Sequence, residues 1–427
     1  MEKYSLLNRE NFFEDIIDEI NSAKHFVVID SYIWVNDAIG RAMSKALLNA
    51  ANERKVKVFI RNDLSGSVWE HTPGRRPMFF DKTDQLIKKF YSRKWGLLIP
   101  QNFIRLGKIV NNFKKRPKLK VNPIYASMKN SKNIHIMSLP FFNHGKVIVI
   151  DGKIIYLGGQ CISVDYTKWI DYAYKVKDKD KAEVVLLNLL GRKNISKNGF
   201  KFVSNQFNES HGSMHDFFVE FLEKVDSDLY IEMAYLGEKY VDLIANIVNK
   251  DINVYLTVSK ELDTNYNRNM KFLYQLIKKV KFKSHKLHIS LFENEMIHTK
   301  GMVTKKMVTL GSNNFGTMNG YALSMNEQNI FSEDPKLISL VLKQFKQDFN
   351  HGKHILTEKD IPSWSKLAAV KELIGVWGFS LLAYRYHSSI VSARKEAEIK
   401  LKEILNSQLE KTEYKRGWKE LKKVLRS

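Results

Sequence analysis

The segment FFNHGKVIVIDGKIIYLGG, at residues 141–159, is the strongest structural signal in the sequence. Asp151 and Gly152 form a turn dipeptide between two apolar runs, which is the pattern of a β-hairpin whose strands are buried on both faces. His144 and Lys146 are two positions apart, so on a strand their side chains lie on one face. An imidazole and an ammonium at one edge of a sheet are suited to binding phosphate.

A second copy of this pattern reads IHTKGMVTKKMVTLGSNNF and occupies residues 297–315. His298 and Lys300 repeat the spacing, and a two-lysine turn again separates two apolar runs. The two histidines are 154 positions apart. A third His-x-Lys triplet, at His351, has polar and helical surroundings, and we interpret it as unrelated to the site.

Each hairpin closes a similar series of elements, which indicates two homologous halves. Apolar spacing predicts a helix, a strand, a helix and a strand before each hairpin. In the first half these elements occupy residues 11–22, 25–34, 39–51 and 56–60, and in the second half 216–225, 229–233, 241–249 and 253–258. Such alternation predicts an α/β fold in which helices flank the sheets.

The repeat predicts two domains, at residues 1–195 and 196–353, followed by a helical C-terminal region at 354–427. A basic and partly apolar insertion, at about residues 68–139, interrupts the first domain. The C-terminal region mixes Lys, Arg and Glu with apolar residues. It is either a functional appendage or a solvated helical hairpin that packs on the second half.

The chain is strongly basic, with 69 Lys and Arg against 46 Asp and Glu and a net charge of +23 over 427 residues. This charge concentrates anionic partners, but it does not by itself separate nucleic acid from an anionic membrane surface. A simple role in solubility is the alternative. Hydrophobic residues at 44% and charged residues at 27% exclude a disordered chain.

The cysteine count and the apolar runs bear on the compartment. Cys161 is the one cysteine of the sequence, which excludes an intrachain disulfide and a cysteine-based metal cluster. Residues 1–11 lack the apolar core of a signal peptide, and the apolar run at 373–384 is shorter than the roughly 20 residues that span a bilayer. We therefore expect a cytoplasmic protein without a signal peptide or transmembrane helix.

The two histidine stretches resemble the HKD motifs of the phospholipase D superfamily, and the resemblance extends over about residues 11–350. The first half is most similar to bacterial cardiolipin synthases and related phosphatidyltransferases. The resemblance implies two similar α/β/α sandwich domains related by a pseudo-twofold axis, with both histidines at one pocket, so that a monomer has a complete site. Besides the histidines and lysines, it rests on Asp151, Gly158, Gly159, Gly311, Ser312 and Asn314.

These residues permit attack on a phosphodiester. One neutral histidine attacks phosphorus to give a phosphohistidine, and the other, protonated, donates its proton to the leaving alkoxide. We favour His144 as the nucleophile and His298 as its partner. The reaction requires no cofactor and no metal. The candidates for binding the phosphate oxygens are Lys146, Lys300, Ser312 and Asn314.

The resemblance also implies that a carboxylate from the opposite half orients each histidine. Asp171 would hold His298, and Glu327 would hold His144, which fixes the tautomer of each ring. Together with the two histidines and the two lysines, Asp171 and Glu327 form the expected catalytic set.

The sequence departs from the family pattern at two positions. Lys305 stands where the second motif has an aspartate, and we interpret that aspartate as a turn residue. Cys161 stands where the first half has an asparagine, which removes an amide donor from the phosphate site. An inactive relative is therefore an alternative.

The flanking segments favour lipid as the substrate. Residues 95–104 are apolar with basic residues on both sides, and the tail contributes Trp377, Phe379 and Tyr384, a composition typical of a membrane interface. We predict a phospholipid substrate and a peripheral membrane location. A nuclease that binds nucleic acid with its basic insertion, and a non-enzymatic membrane scaffold, are the alternatives.

Overall fold

A computed structural model describes residues 3–63, 122–139, 143–192, 195–205, 213–262, 265–315, 326–374, 387–409 and 419–426. In these ranges the chain forms two mixed β-sheets, each flanked by helices. This architecture confirms the predicted α/β class. Residues 64–121, which include most of the predicted insertion, and residues 375–386 lie outside the described part.

The described residues of the first half form a seven-stranded sheet in the order β1-β7-β6-β5-β2-β3-β4. The neighbours β2, β3 and β4 are parallel, and the other neighbours are antiparallel. The strands are β1 (Tyr4–Leu7), β2 (Phe26–Ser31), β3 (Lys57–Asp63), β4 (Ile134–Leu139), β5 (Val147–Ile150), β6 (Ile154–Gly158) and β7 (Ala173–Lys177). The helices are α1 (Phe12–Ser22), α2 (Ala38–Glu53), α3 (Pro123–Asn130) and α4 (Lys179–Leu189).

The described residues of the second half form a nine-stranded sheet in the order β16-β12-β11-β10-β13-β14-β15-β9-β8. The strands are β8 (Ser196–Lys197), β9 (Phe200–Ser204), β10 (Leu229–Met233), β11 (Val254–Ser259), β12 (Leu287–Phe292), β13 (Lys300–Val303), β14 (Val308–Gly311), β15 (Gln328–Ser332) and β16 (Lys353–Ile355). The helices are α5 (Ser213–Glu223), α6 (Val241–Asn249), α7 (Tyr266–Lys279) and α8 (Pro335–His351).

The two sheets repeat one topology. The series β7-β6-β5-β2-β3-β4 corresponds strand by strand to β15-β14-β13-β10-β11-β12, with the same parallel and antiparallel neighbours. β1 and β9 occupy equivalent positions beside β7 and β15, and β8 extends the second sheet beyond β9. The homologous halves inferred from the histidine stretches are therefore present as two similar folded units.

The insertion is shorter than predicted, because residues 122–139 belong to the first sheet unit. Asn122 caps α3, which starts with Pro123, and β4 pairs in parallel with β3. Four of the six residues of β4 are only half-buried, as expected for an edge strand. The strand therefore lacks the continuous apolar run that would have marked it in the sequence.

The two sheets share one core with helices between them. The side chains of α4 are buried along nearly its whole length. A single apolar cluster joins α4 and α8 to residues of both sheets, including Ile155 on β6 and Leu310 on β14. Strands β6 and β14, one from each histidine hairpin, also contact each other directly, so the two hairpins meet at this shared core.

The last two described helices are α9 (His387–Leu409) and α10 (Lys419–Arg426), whereas β16 extends the second sheet unit to Ile355, beyond the predicted boundary at 353. Both helices pack on the first half, where α9 contacts β3 and β4 and α10 contacts α4. The alternative of a hairpin on the second half is therefore wrong for these helices. Their apolar side chains, such as Leu405 and Leu421, join the core around α4. The apolar pattern of a helix predicts that it packs on another element but does not identify which one.

None of the described helices combines the length and apolar character that crossing a membrane requires.

Candidate active site

His144 is held by a carboxylate from the second half. Its Nδ1 lies 2.8 Å from Oε2 of Glu327, and the hydroxyl of Ser312 donates to the same oxygen at 2.6 Å. A backbone bridge between Asn143 and Asn326 places the preceding residues side by side. Two segments that are distant in the chain therefore meet at this imidazole.

His298 has the same arrangement with the halves exchanged. Its Nδ1 lies 2.7 Å from Oδ2 of Asp171, a residue of the first half. A bridge joins Ile170 to Ile297, and the amide of His298 donates to the carbonyl of Ile170 at 2.7 Å. The two histidine–carboxylate pairs are thus related by the pseudo-twofold symmetry of the halves.

A carboxylate beside Nδ1 determines which ring nitrogen carries the proton. The neutral imidazole then holds its proton on Nδ1 and donates it to the carboxylate, so we assign the lone pair to Nε2. In both rings Nε2 is therefore the nitrogen that can attack phosphorus or carry a proton to a leaving group.

The electrostatic environment keeps both imidazoles neutral in the unliganded protein. Burial is the main cause that lowers the pKa of His144 to about 4 and that of His298 to about 3, although the paired carboxylates oppose it. The charge of Lys300 also lowers the pKa of His144, and that of Lys146 lowers the pKa of His298. The two motifs are thus electrostatically coupled across the halves.

Both motif lysines are buried and turn back toward their own histidine. Lys146 Nζ donates to the carbonyl of His144 at 3.0 Å, and Lys300 Nζ donates to the carbonyl of His298. Burial lowers the pKa of Lys300 to about 8. An ammonium has three N–H donors, so each lysine can donate to a bound anion as well.

Buried polar residues that the sequence analysis missed support His144 from behind. Arg61 makes a bidentate ion pair with Asp30, with N–O distances of 3.0 and 2.6 Å. The side-chain amides of Asn143 and Gln328 also donate to Asp30. Asn143 precedes His144 and Gln328 follows its carboxylate partner, so this network fixes both ends of the pair. The sequence signal for this network is Asp30, a carboxylate inside an otherwise apolar strand.

The second half has Glu232 at the position of Asp30, because each pairs with the residue three positions after its motif histidine. Thr257 stands where the first half has Arg61. Glu232 makes no ion pair with a described lysine or arginine, and the neighbours that act on its carboxyl group include Asp348 and Thr299. Burial, and then the charge of Asp348, raises the pKa of Glu232 well above its usual value. Glu232 is therefore a neutral acid where Asp30 is an ion.

Aromatic rings that were also missed line the two imidazoles. The ring of Tyr32 meets His144 edge-on at 4.6 Å between centroids, and that of Trp169 lies 4.9 Å from His298. Tyr166 packs on Trp169 at 4.7 Å. These apolar walls lower the local dielectric and strengthen interactions between charges at the histidines.

The motif glycines allow close backbone approach. A Cβ at Gly158 or at Gly311 would lie 2.4 or 2.1 Å from the carbonyl oxygen of the residue after each carboxylate. A Cβ at Gly159 would lie 2.5 Å from the carboxylate of Asp171. A larger residue would therefore push the carboxylate away from its histidine.

Ser312 and Asn314, expected to bind phosphate, have protein partners in the structure. Ser312 donates to Glu327 and accepts the amide of Gln328 at 2.9 Å, so it positions the carboxylate. The side-chain oxygen of Asn314 accepts the amide of Tyr235 at 3.2 Å.

The structure explains the difference between the two hairpin turns. Asp151 has a positive φ of 48°, as the turn requires, and its carboxylate also accepts three backbone amides at the start of β2. In the second hairpin, Thr304 accepts the amides of Lys306 and Met307 at 3.1 and 3.2 Å. Lys305 therefore has no capping task, and the turn closes without an aspartate.

The other departure, Cys161, is buried in an apolar cluster with Ile33, Val35 and Tyr166. The thiol also acts on the pKa of Lys300, which it raises, so Cys161 lies near the second motif although its cluster neighbours are largely apolar.

The third triplet belongs to neither hairpin. His351 is exposed at the end of α8, and its Nδ1 lies 2.6 Å from the carbonyl of Gln347. Among the described residues, no group of three or more His, Cys, Asp or Glu side chains is arranged to hold a metal ion.

Comparisons with known proteins identify relatives of this chain. Residues 218–349 match a family model described as "Cardiolipin synthase, PLD-like domain". Cardiolipin synthases from two strains of Clostridium perfringens are 24% identical to it over 174 residues, which is 39% of this chain and 28% of the length of those relatives. The crystal structure of phosphatidylserine synthase from Haemophilus influenzae Rd KW20 has the same fold, with a TM-score of 0.58 and 14% identity. That match covers 93% of this chain and 94% of the other.

Proposed function

We propose that this chain, which belongs to the phospholipase D superfamily, cleaves a phosphodiester bond of a glycerophospholipid and passes the phosphatidyl group to an alcohol or to water. One observation carries the proposal: each imidazole receives a carboxylate on Nδ1 from the opposite half, at 2.8 and 2.7 Å. Both motifs lie in one chain, so we expect a monomer to be active.

In the first step, Nε2 of His144 attacks phosphorus and the bond to the leaving alkoxide breaks. His298 donates its Nε2 proton to that alkoxide, so the leaving alcohol departs neutral. Without substrate, burial keeps His298 neutral. The negative charge of a bound phosphodiester then favours its protonated form, the imidazolium. Lys146 and Lys300 place positive charge beside the phosphoryl oxygens.

In the second step, the acceptor hydroxyl gives its proton to Nε2 of His298 and attacks phosphorus. The P–N bond breaks, and the electron pair returns to Nε2 of His144. The site regains its starting protonation, with one alcohol exchanged for another. Glu327 and Asp171 hold the rings in register throughout.

Two features support a lipid substrate over nucleic acid. The matched relatives are named cardiolipin synthases, and the fold matches that of a phosphatidylserine synthase. The apolar composition of residues 95–104, with basic residues on both sides, fits a membrane interface.

The decisive experiment offers the protein phosphatidylglycerol vesicles, with and without added glycerol, and separately single-stranded DNA. We expect turnover of the lipid, and a product that changes with the acceptor alcohol. His144→Ala and His298→Ala should each abolish turnover while keeping the thermal unfolding midpoint. His351→Ala, at the exposed third triplet, serves as the matched control and should retain full activity. Cleavage of DNA without cleavage of lipid would refute the proposal, as would full activity in either motif variant.

A further inference from the structure

One helix in the described part of the chain, residues 366–374, exposes an apolar stripe to solvent. Leu367, Val370 and Ile374 are 65%, 47% and 46% exposed. Their spacing of three and then four positions puts them on one helix face. Lys366 and Lys371, both exposed, flank that face on either side. The result is an outward apolar stripe with lysine borders.

The opposite face fixes the helix to the second half. The carboxylate of Glu372 accepts the amides of Asn267 and Arg268, at 3.3 and 3.0 Å, at the start of α7. Ala369 on the same side is 3% exposed. The helix cannot rotate its apolar stripe inward without breaking these contacts, so the exposure is built into the fold.

The stripe lies at the edge of the sheet that carries the second motif. Asn269, in the first turn of α7, accepts the amide of Leu236 at 2.9 Å and donates to the carbonyl of Ala234 at 2.8 Å. Between these two, the amide of Tyr235 donates to Asn314 of the motif. Continuous contacts thus link the helix to the carboxyl ends of the parallel strands, where α/β folds bind their ligands.

We propose that the helix at 366–374 docks the protein on an anionic phospholipid bilayer, with Leu367, Val370 and Ile374 inserted among the head groups. Lysines on both borders of a narrow apolar stripe complement anionic head groups, and the net charge of +23 acts in the same direction. The inference rests on the proposed function, because docking at this edge would present bilayer lipid to the histidines.

The test is flotation of the full chain with vesicles of phosphatidylcholine, with and without phosphatidylglycerol. The variant L367E/V370E/I374E should lose about tenfold or more of its partitioning onto anionic vesicles, because three exposed apolar contacts are replaced by anions. All three side chains are exposed, so its thermal unfolding midpoint should match that of the wild type. Ile399→Glu, a 61% exposed isoleucine on α9, is the matched control and should partition as the wild type does.

Activity assays separate docking from chemistry. The triple variant should lose turnover of vesicle phosphatidylglycerol but keep turnover of a short-chain phosphatidylglycerol dispersed as monomers. Unchanged partitioning of the triple variant would overturn the docking proposal. A triple variant that binds vesicles as the wild type does but self-associates less would also overturn it, because the stripe would then be a contact between copies of the chain. If the wild type docks but turns over neither form of lipid, the proposed function fails and the docking surface stands.

Discussion

At the scale of single residues, the two halves place an acid at the same strand position and give it different charge states. Asp30 is ionised, because it forms an ion pair with Arg61 and accepts hydrogen bonds from two side-chain amides. Glu232 has no arginine beside it and has a raised pKa. The pseudo-symmetry of the fold therefore does not extend to the electrostatics behind the histidines.

This difference predicts unequal costs for two similar substitutions. Asp30→Asn leaves the buried guanidinium of Arg61 without its counter-charge and should lower the free energy of unfolding by about 3–5 kcal/mol. Glu232→Gln replaces a neutral acid with a neutral amide and should change it by less than about 1 kcal/mol at pH 7. Thermal unfolding of both variants measures this. Equal losses would contradict the assigned charge states.

Lys300 predicts the alkaline limb of the pH profile. Its pKa is lowered to about 8, so its ammonium is charged below that pH and discharges above it. The value of kcat/KM, which reports the free enzyme, should therefore fall as pH rises through about 8. Lys300→Arg should move this limb well upward, because a guanidinium keeps its charge. Lys353→Arg, in the third triplet, is the control and should leave the alkaline limb where it is in the wild type. If Lys300→Arg also leaves the limb in place, Lys300 is not its cause.

At the scale of elements, α9 and α10 are part of the first half's core. Leu405 on α9 is fully buried in the cluster that contains α4, whereas Ile399 on the same helix is 61% exposed. The charge of Glu398 on α9 also acts on Arg61. The C-terminal helices thus support the element that joins the two sheets and lie close to the buried ion pair.

The packing of α9 predicts a large effect from a single leucine. Leu405→Ala should lower the free energy of unfolding by about 2–5 kcal/mol, because it removes buried apolar contacts and leaves a cavity. Ile399→Ala should change it by no more than about 0.5 kcal/mol. Comparison of the two unfolding midpoints is the measurement. A small effect at Leu405 would show that the helix is only loosely attached.

At the scale of the whole molecule, neither half contains a complete histidine–carboxylate pair. Glu327 reaches His144 and Asp171 reaches His298, so each half supplies the orienting group of the other. The backbone bridges at 143–326 and 170–297 hold the halves in this exchange. The junction between the sheets is therefore part of the site.

The exchange predicts that both carboxylates are needed at once. Glu327→Gln and Asp171→Asn should each reduce kcat by about 10³-fold or more, because an amide does not hold the Nδ1–H tautomer. Glu333→Gln, an exposed acid just beyond the other end of β15, is the matched control. Turnover under saturating lipid measures the effect. Near-normal kcat in either site variant would show that its histidine does not require the opposite half.

The hairpins, the repeat and the residue types of the site can be predicted from the sequence alone. Turn dipeptides, apolar runs and the two-residue spacing of His and Lys are local properties, and local geometry follows directly from them. These local patterns do not encode contacts between residues that are distant in the chain, which depend on tertiary packing. Asp30 and Gln328 are 298 positions apart, and their meeting depends on how two sheets pack. The same packing places α9 on the first half and leaves Glu232 without a counter-charge, because partners distant in the chain are chosen by the fold as a whole.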